Sequence, residues 1–227
     1  MTTQIYNALA ARSDEEKKIV LPRFFKTGKG QYGEGDKFLG VTVPNIREVA
    51  KEYNNIGFEI IKELIHSPWH EMRMCALLIL VNNSKKSVSK EIFDFYLSQT
   101  RHINNWDLVD LSAPQIVGQY LLDKNRDILY KLSESDLLWD NRIAIVSTLT
   151  FIRNNDLNDT YKLSLKMMNH KHDLMHKAIG WMLREAGKRD AERLYDFIKG
   201  HKAVMPRTML RYSIEKFDID IRKELMK

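Results

Sequence analysis

The stretch NNWDLVD, Asn104 to Asp110, holds the residue types best suited to chemistry in this chain. Positions i and i+4 of a helix share a face, so Trp106 and Asp110 look the same way while Asp107 points elsewhere, capping or bonding within the helix layer. A large ring beside a carboxylate is either a buried, hydrogen-bonded pair or half of an active site. Two further residues belong with it as candidates. Arg142, in WDNRIAIV, is an arginine at the start of an otherwise apolar helix, where a buried charge needs a partner. Trp181, in HKAIGWMLREAGKRD, stands among His176, Lys177, Arg184, Lys188 and Arg189. Trp106, Asp110, Arg142 and Trp181 are expected to line one concave face with basic flanks. The competing reading, four unrelated structural residues, stays open at this point, whereas Trp69 and Trp139 read as core packing.

Other motifs carry less. His170, His172 and His176 cluster, but without H-E-x-x-H, a nearby cysteine or a convincing third ligand they read as a solvated helix start, and no metal is expected. Gly28, Gly30 and Gly33 spell G-x-G-x-x-G, yet a helix-like LPRFFK precedes them and the next helix begins only near Pro44. A dinucleotide site needs a strand before that motif and a helix at once after it, so Thr27 to Gly40 reads as a flexible glycine-rich loop, with phosphate approach as the functional alternative. There is no Gly-x-Ser-x-Gly elbow and no P-loop. The single cysteine, Cys75, lies in the apolar run MCALLILV and reads as a buried thiol.

The elements that must position these residues are helices. Apolar residues recur three and four apart in NIREVAKEY, IFDFYLSQ, IAIVSTLTFI and LYDFIKG, which is helical spacing. Short polar joints such as VNNSKKS, LDKNRD, RNNDLND and NHKHD separate them. EMRMCALLIL (71–80), DNRIAIVSTL (140–149) and LMHKAIGWML (174–183) can be overlaid. Each has a basic or polar third residue, a small fifth and a leucine at the tenth place, at offsets near multiples of the 34–35 residues typical of two-helix solenoid repeats. The expectation is an all-α curved solenoid of stacked HEAT-like antiparallel helical pairs, forming a single domain over 1–227. Length and hydrophobic fraction fit a chain with a substantial core. A net charge of +6 suggests an anionic partner such as nucleic acid. The opening residues lack a secretory pattern and no apolar run is long enough for a membrane, so a cytoplasmic protein is expected.

FLGVTVPNIREV, NNWDLVDLSAPQIVG, WDNRIAIVSTL, HKAIGWMLREAGKRD and MPRTMLRYSIEKF, spread from about residue 23 to 217, make the sequence resemble the DNA alkylation repair family of helical-repeat glycosylases. The resemblance implies hydrolysis of the N-glycosidic bond of cationic N3- and N7-alkylated purines in DNA. It puts the catalytic aspartate at Asp110, active-site tryptophans at Trp106 and Trp181, and a cleft arginine at Arg142. It further implies double-stranded DNA as the partner, contacted by Phe24, Lys177, Arg184, Lys188, Arg189, Arg207 and Arg211. The protein is then expected to be a monomer that needs no cofactor and associates with the nucleoid. The family is known to grip the lesion's backbone and to act without a base-specific pocket. Phe24, in RFFK, replaces the tyrosine of the best-known members, which leaves no hydroxyl there, and the glycine-rich loop is longer. A non-enzymatic helical-repeat module binding nucleic acid or protein is the alternative. Should a proton donor be needed, His176 is the first candidate.

Overall fold

Spacing of apolar residues turns into helices along the whole chain in the computed structural model, which describes residues 1–227. Helices α1 (Thr2–Ala10), α2 (Glu15–Phe24), α3 (Val43–Glu52), α4 (Phe58–Ile65), α5 (His70–Asn83), α6 (Lys90–Ser98) and α7 (Trp106–Ala113) form a first compact unit, Met1–Ile116. Helices α8 (Asp127–Ser133), α9 (Leu138–Arg153), α10 (Asn158–Lys166), α11 (Asp173–Gly187), α12 (Ala191–His201), α13 (Arg207–Ser213) and α14 (Ile219–Met226) form the second, Val117–Lys227. No strand is present; one isolated β-bridge joins Lys37 to Trp69.

Each unit is built around its most deeply buried helix. In the first, α5 is buried without interruption from His70 to Leu80 and takes α3, α4 and α7 against its sides. In the second, α9 packs on α8, α10 and α11, and α11 carries α12 and α13. The three overlaid segments are the bodies of α5, α9 and α11, and in the sequence α7 begins midway between the starts of the first two, at the same period. The result is an all-helical, HEAT-like repeat fold. Gly180 shows how tightly such helices approach: a Cβ there would lie 2.5 Å from the Tyr212 Cβ and 2.7 Å from the Met209 carbonyl, so α13 can cross α11 only over a residue without a side chain.

Helix starts follow ordinary capping chemistry. Asp14, Ser89, Asn105, His172 and Asp190 each accept a backbone N–H from the first turn of the following helix, satisfying donors that the helix leaves without partners. At α11 the histidines complete the cap. His172 Nδ1 accepts from Leu174 N, His170 Nδ1 accepts from His172 N, and His176 Nε2 donates to the His170 carbonyl. The helix-start reading of this cluster therefore holds. Trp139 is buried, and Trp69 is half-buried against Tyr6 with the Lys37 ammonium 5.9 Å from its ring centroid.

Candidate active site

Trp106 opens α7 at its first turn, and Asp110 lies one turn further on the same face. Both line a cavity of about 580 Å³ within the first unit, bounded by α2, α3, α5 and α7. Its walls are mainly aromatic and aliphatic. Phe25 stacks on Trp106 with centroids 5.6 Å apart and on Phe38 at 5.1 Å, while Phe24, 58% exposed, meets Trp106 edge-on at 6.0 Å. Leu21, Val41, Val43, Ile46, Met74 and Leu111 complete the apolar lining. Phe24 thus stands at the mouth, and Phe25 and Phe38, which sequence reasoning passed over, form the inner wall.

Under the aromatic wall lies a buried cluster of charges. His70 Nε2 meets Asp107 Oδ2 at 2.8 Å and its Nδ1 faces Asp36 Oδ2 at 3.4 Å; Arg73 Nη2 reaches the same Asp36 oxygen at 2.7 Å, and Asn104 Nδ2 donates to the other at 3.0 Å. Burial works against a charge on His70, but Asp107 and Asp36 outweigh it and raise its pKa to about 9. Burial likewise opposes ionisation of Asp36, yet His70, Arg73 and Asn104 hold that carboxyl below its usual range. His70 is therefore protonated and Asp36 ionised at neutral pH, with the ring faces of Phe25 and Phe38 each 4.8 Å from the imidazolium.

Asp107 therefore does not face away from the cavity, as the helical wheel had it. It lines the cavity with Trp106 and Asp110, 13% of its side chain exposed, and ties α7 to α5 through His70. Two facts override the wheel. The cavity wraps around more than one face of α7, since Leu111 also lines it, and a charged partner waits at the start of α5. Asp107 Oδ1 does accept from Leu108 N within the helix, at 2.9 Å.

The sign of the His70 shift sets a prediction. A group whose folded pKa is raised contributes stability that is complete below its unfolded pKa, about 6.5, and lost as pH rises through about 9. The unfolding free energy from denaturant titrations should fall between pH 6.5 and 9.5 by an amount on the order of 3 kcal/mol. Asp107→Asn should flatten that slope and lower stability at pH 7, and the His70 ring resonances in NMR should then titrate nearer neutrality. An unchanged slope in Asp107→Asn would show that this pair is not the source.

Glu71 fixes the cavity's third side. Its carboxylate, 1% exposed, accepts the N–H groups of Leu39, Gly40 and Val41 at 2.9, 2.9 and 3.2 Å. The chain leaving the glycine-rich loop is thereby pinned to α5, which sets Phe38 against His70 and Val41 into the wall. The rest of the loop folds as successive turns, with Gln31 and Glu34 side chains accepting from Gly28 N and Gly30 N. Gly40 has φ +80°, and a Cβ there would sit 2.4 Å from the Asp14 carbonyl, so this crossing also needs glycine.

The remaining expected residues lie in the second unit. Arg142, 5% exposed, donates from Nη1 to the Leu174 carbonyl at 2.7 Å, joining α9 to the first turn of α11. Trp181 is half-buried on α11, on one stripe with Lys177, Arg184 and Lys188. Arg184 is ion-paired with Glu215 and close to Glu185, Lys188 pairs with Glu185 at 2.7 Å, and Lys177 pairs with Asp173 at 2.7 Å. Arg189 and Arg211 are exposed, as is Arg207, whose Nη1 donates to the Met226 carbonyl at 2.9 Å. His176 also belongs to this unit and spends its Nε2 proton on a backbone carbonyl.

A HEAT-like helical fold that sets a tryptophan and a carboxylate over an aromatic cavity defines the class. Over residues 5–217 the sequence matches the family described as DNA alkylation repair enzyme, and the chain belongs to it. A solved structure described as a predicted DNA alkylation repair enzyme from Enterococcus faecalis is 17% identical and superposes with a TM-score of 0.74, covering 92% of this chain and 98% of that one. A second, from a family of proteins related to the HEAT-like repeat DNA glycosylases with affinity for branched DNA structures, is 15% identical with a TM-score of 0.60, covering 87% of this chain and 82% of that one. At these identities the two share its fold. No curated protein matches the chain.

Proposed function

We propose that this protein is a DNA glycosylase that hydrolyses the N-glycosidic bond of cationic N3- and N7-alkylated purines in double-stranded DNA. The observation that supports it best is the pairing on α7: Asp110 and Trp106, one turn apart, open on the same aromatic-lined cavity. A purine alkylated at N3 or N7 is already positive and leaves without being protonated, so no general acid of the two-carboxylate kind is required. The bond from C1′ to the base nitrogen breaks, its electron pair leaves with the base and cancels the base's charge, and the deoxyribose gains oxocarbenium character. Asp110 supplies the opposing negative charge and orients the water whose oxygen adds to C1′ as its proton is lost. The faces of Trp106 and Trp181 favour the cation.

Arg142 acts here as a positioning residue for the start of α11. Lys177, Arg184, Lys188, Arg189, Arg207 and Arg211 neutralise phosphates, with Phe24 in contact with the duplex. Residues 1–227 then work as one functional domain, as a monomer in the cytoplasm on nucleoid DNA, without a cofactor. Incubation with duplex carrying N7-methylguanine should produce abasic sites, detected as strand breaks after alkaline treatment. Intact substrate at enzyme excess would refute the reading. A second reading, a DNA-binding module without catalysis, is favoured by the relative with affinity for branched DNA. It predicts tight binding of a four-way junction and no abasic sites.

A further inference from the structure

The glycine-rich loop delivers one buried carboxylate, that of Asp36, whose side chain is 4% exposed. Its backbone is fixed on both sides. Asp36 N donates to the Gly33 carbonyl at 3.1 Å, Lys37 N donates to the Pro68 carbonyl at 3.0 Å, and the Lys37 carbonyl accepts from His70 N at 2.8 Å. The carboxylate is thereby aimed, and both of its oxygens are used. Oδ2 meets the charges of α5, with Arg73 Nη2 at 2.7 Å and His70 Nδ1 at 3.4 Å. Oδ1 accepts from Asn104 Nδ2 at 3.0 Å, across 68 residues of sequence. Charge balance explains the first pair. It does not explain Asn104, a neutral side chain two residues ahead of Trp106.

Trp106 is the first residue of α7. Helix ends fray, so the direction of a side chain there follows the chain that leads into the helix. Asn105, fully buried, accepts from Trp106 N at 2.9 Å, and Asn104 joins this lead-in to the loop. We propose that Asp36 is a positioning residue for Trp106, which it holds in the cavity wall, stacked on Phe25, through Asn104. The inference rests on the glycosylase reading and deepens it, giving the glycine-rich loop a part in the reaction that is exerted only through another residue. A ring face favours a cation only within about 6 Å of its centroid. Misplacing a catalytic group by about 1 Å can cost on the order of 10²-fold in rate.

Two variants cut the link from opposite ends. Asp36→Asn keeps the shape of the side chain but turns one acceptor into a donor. Three donors converge on the two oxygens, so at least one of them then faces an N–H. Asn104→Ala leaves the buried ion pairs as they are. At saturating enzyme both should slow single-turnover release of N7-methylguanine by about tenfold or more, with duplex affinity unchanged. The double variant should be no slower than the slower single, because one link cannot be lost twice. A second readout needs no catalysis. With 5-fluorotryptophan at all four tryptophans, the fluorine resonance of Trp106, assigned with Trp106→Phe, should move in both variants while those of Trp139 and Trp181 stay in place. Wild-type rates in both folded variants, or effects that multiply in the double variant, overturn the proposal. So does an unmoved Trp106 resonance, and so does a shift shared by Trp139 and Trp181, which marks a general loss of structure. Should Asp36→Asn not fold, Asn104→Ala decides by rate and resonance. A wild-type chain that excises nothing sinks the glycosylase reading, and the Trp106 resonance then decides the positioning by itself.

Discussion

Asp110→Asn should lower single-turnover release of N7-methylguanine by about 10²-fold or more, the loss seen when one electrostatic stabiliser of a transition state is removed. Asparagine keeps the shape of the side chain and its place at the cavity edge but gives up the charge that opposes the developing sugar cation. Binding of the same duplex should be unchanged or tighter, because a carboxylate near phosphates has been removed. Rate and affinity thus move apart, which a folding defect would not produce. Asp107→Asn is the informative comparison. Asp107 lines the same cavity, but its charge is spent on His70 at 2.8 Å, so its loss should appear first in stability and in the pH slope. An Asp110→Asn enzyme as fast as wild type would remove this residue from the mechanism.

How much of this was legible beforehand differs by element. Helical spacing and the 34–35-residue period anticipated α5, α9 and α11 because α5 and α9 bury nearly every side chain and α11 buries one apolar face, and burial is what the apolar pattern records. Trp106 and Asp110 were legible because one α-helical turn relates them whatever surrounds α7. Asp107 was legible as a residue bonding within the helix layer, as it does to Leu108 N and His70, but not as part of the cavity lining: its partner His70 stands 37 residues earlier in the chain, and local periodicity carries no information on such a partner. The signal that would have found the cluster was present. HEMR opens α5, whose body is the apolar run MCALLILV, with His70, Glu71 and Arg73, and buried ionisable groups require partners. That reasoning was applied to Arg142 and holds equally here. Phe25 and Phe38 gave no such sign, since phenylalanines flanking a glycine-rich loop look alike whether they fill a core or line a cavity.

Release should follow the charge of the lesion and not its shape. Duplexes identical except at one position should lose N3-methyladenine and N7-methylguanine readily, while uracil, hypoxanthine and 1,N6-ethenoadenine stay in place. A neutral base must gain a proton as it departs, and general acids contribute about 10²- to 10⁴-fold, so their absence should suppress neutral lesions by at least that much. One group in the cavity does carry a proton at neutral pH. His70, with its pKa near 9, lines the wall beside Trp106. Its two nitrogens are turned to Asp107 and Asp36, however, and a proton held between carboxylates of a buried network is costly to move to a base. His176, in the second unit, has its Nε2 proton on the His170 carbonyl. Efficient single-turnover excision of a neutral base would contradict this, and His70→Gln would then be the variant to make. A loss of neutral-lesion activity alone, with cationic lesions still released, would assign the missing acid to that imidazole.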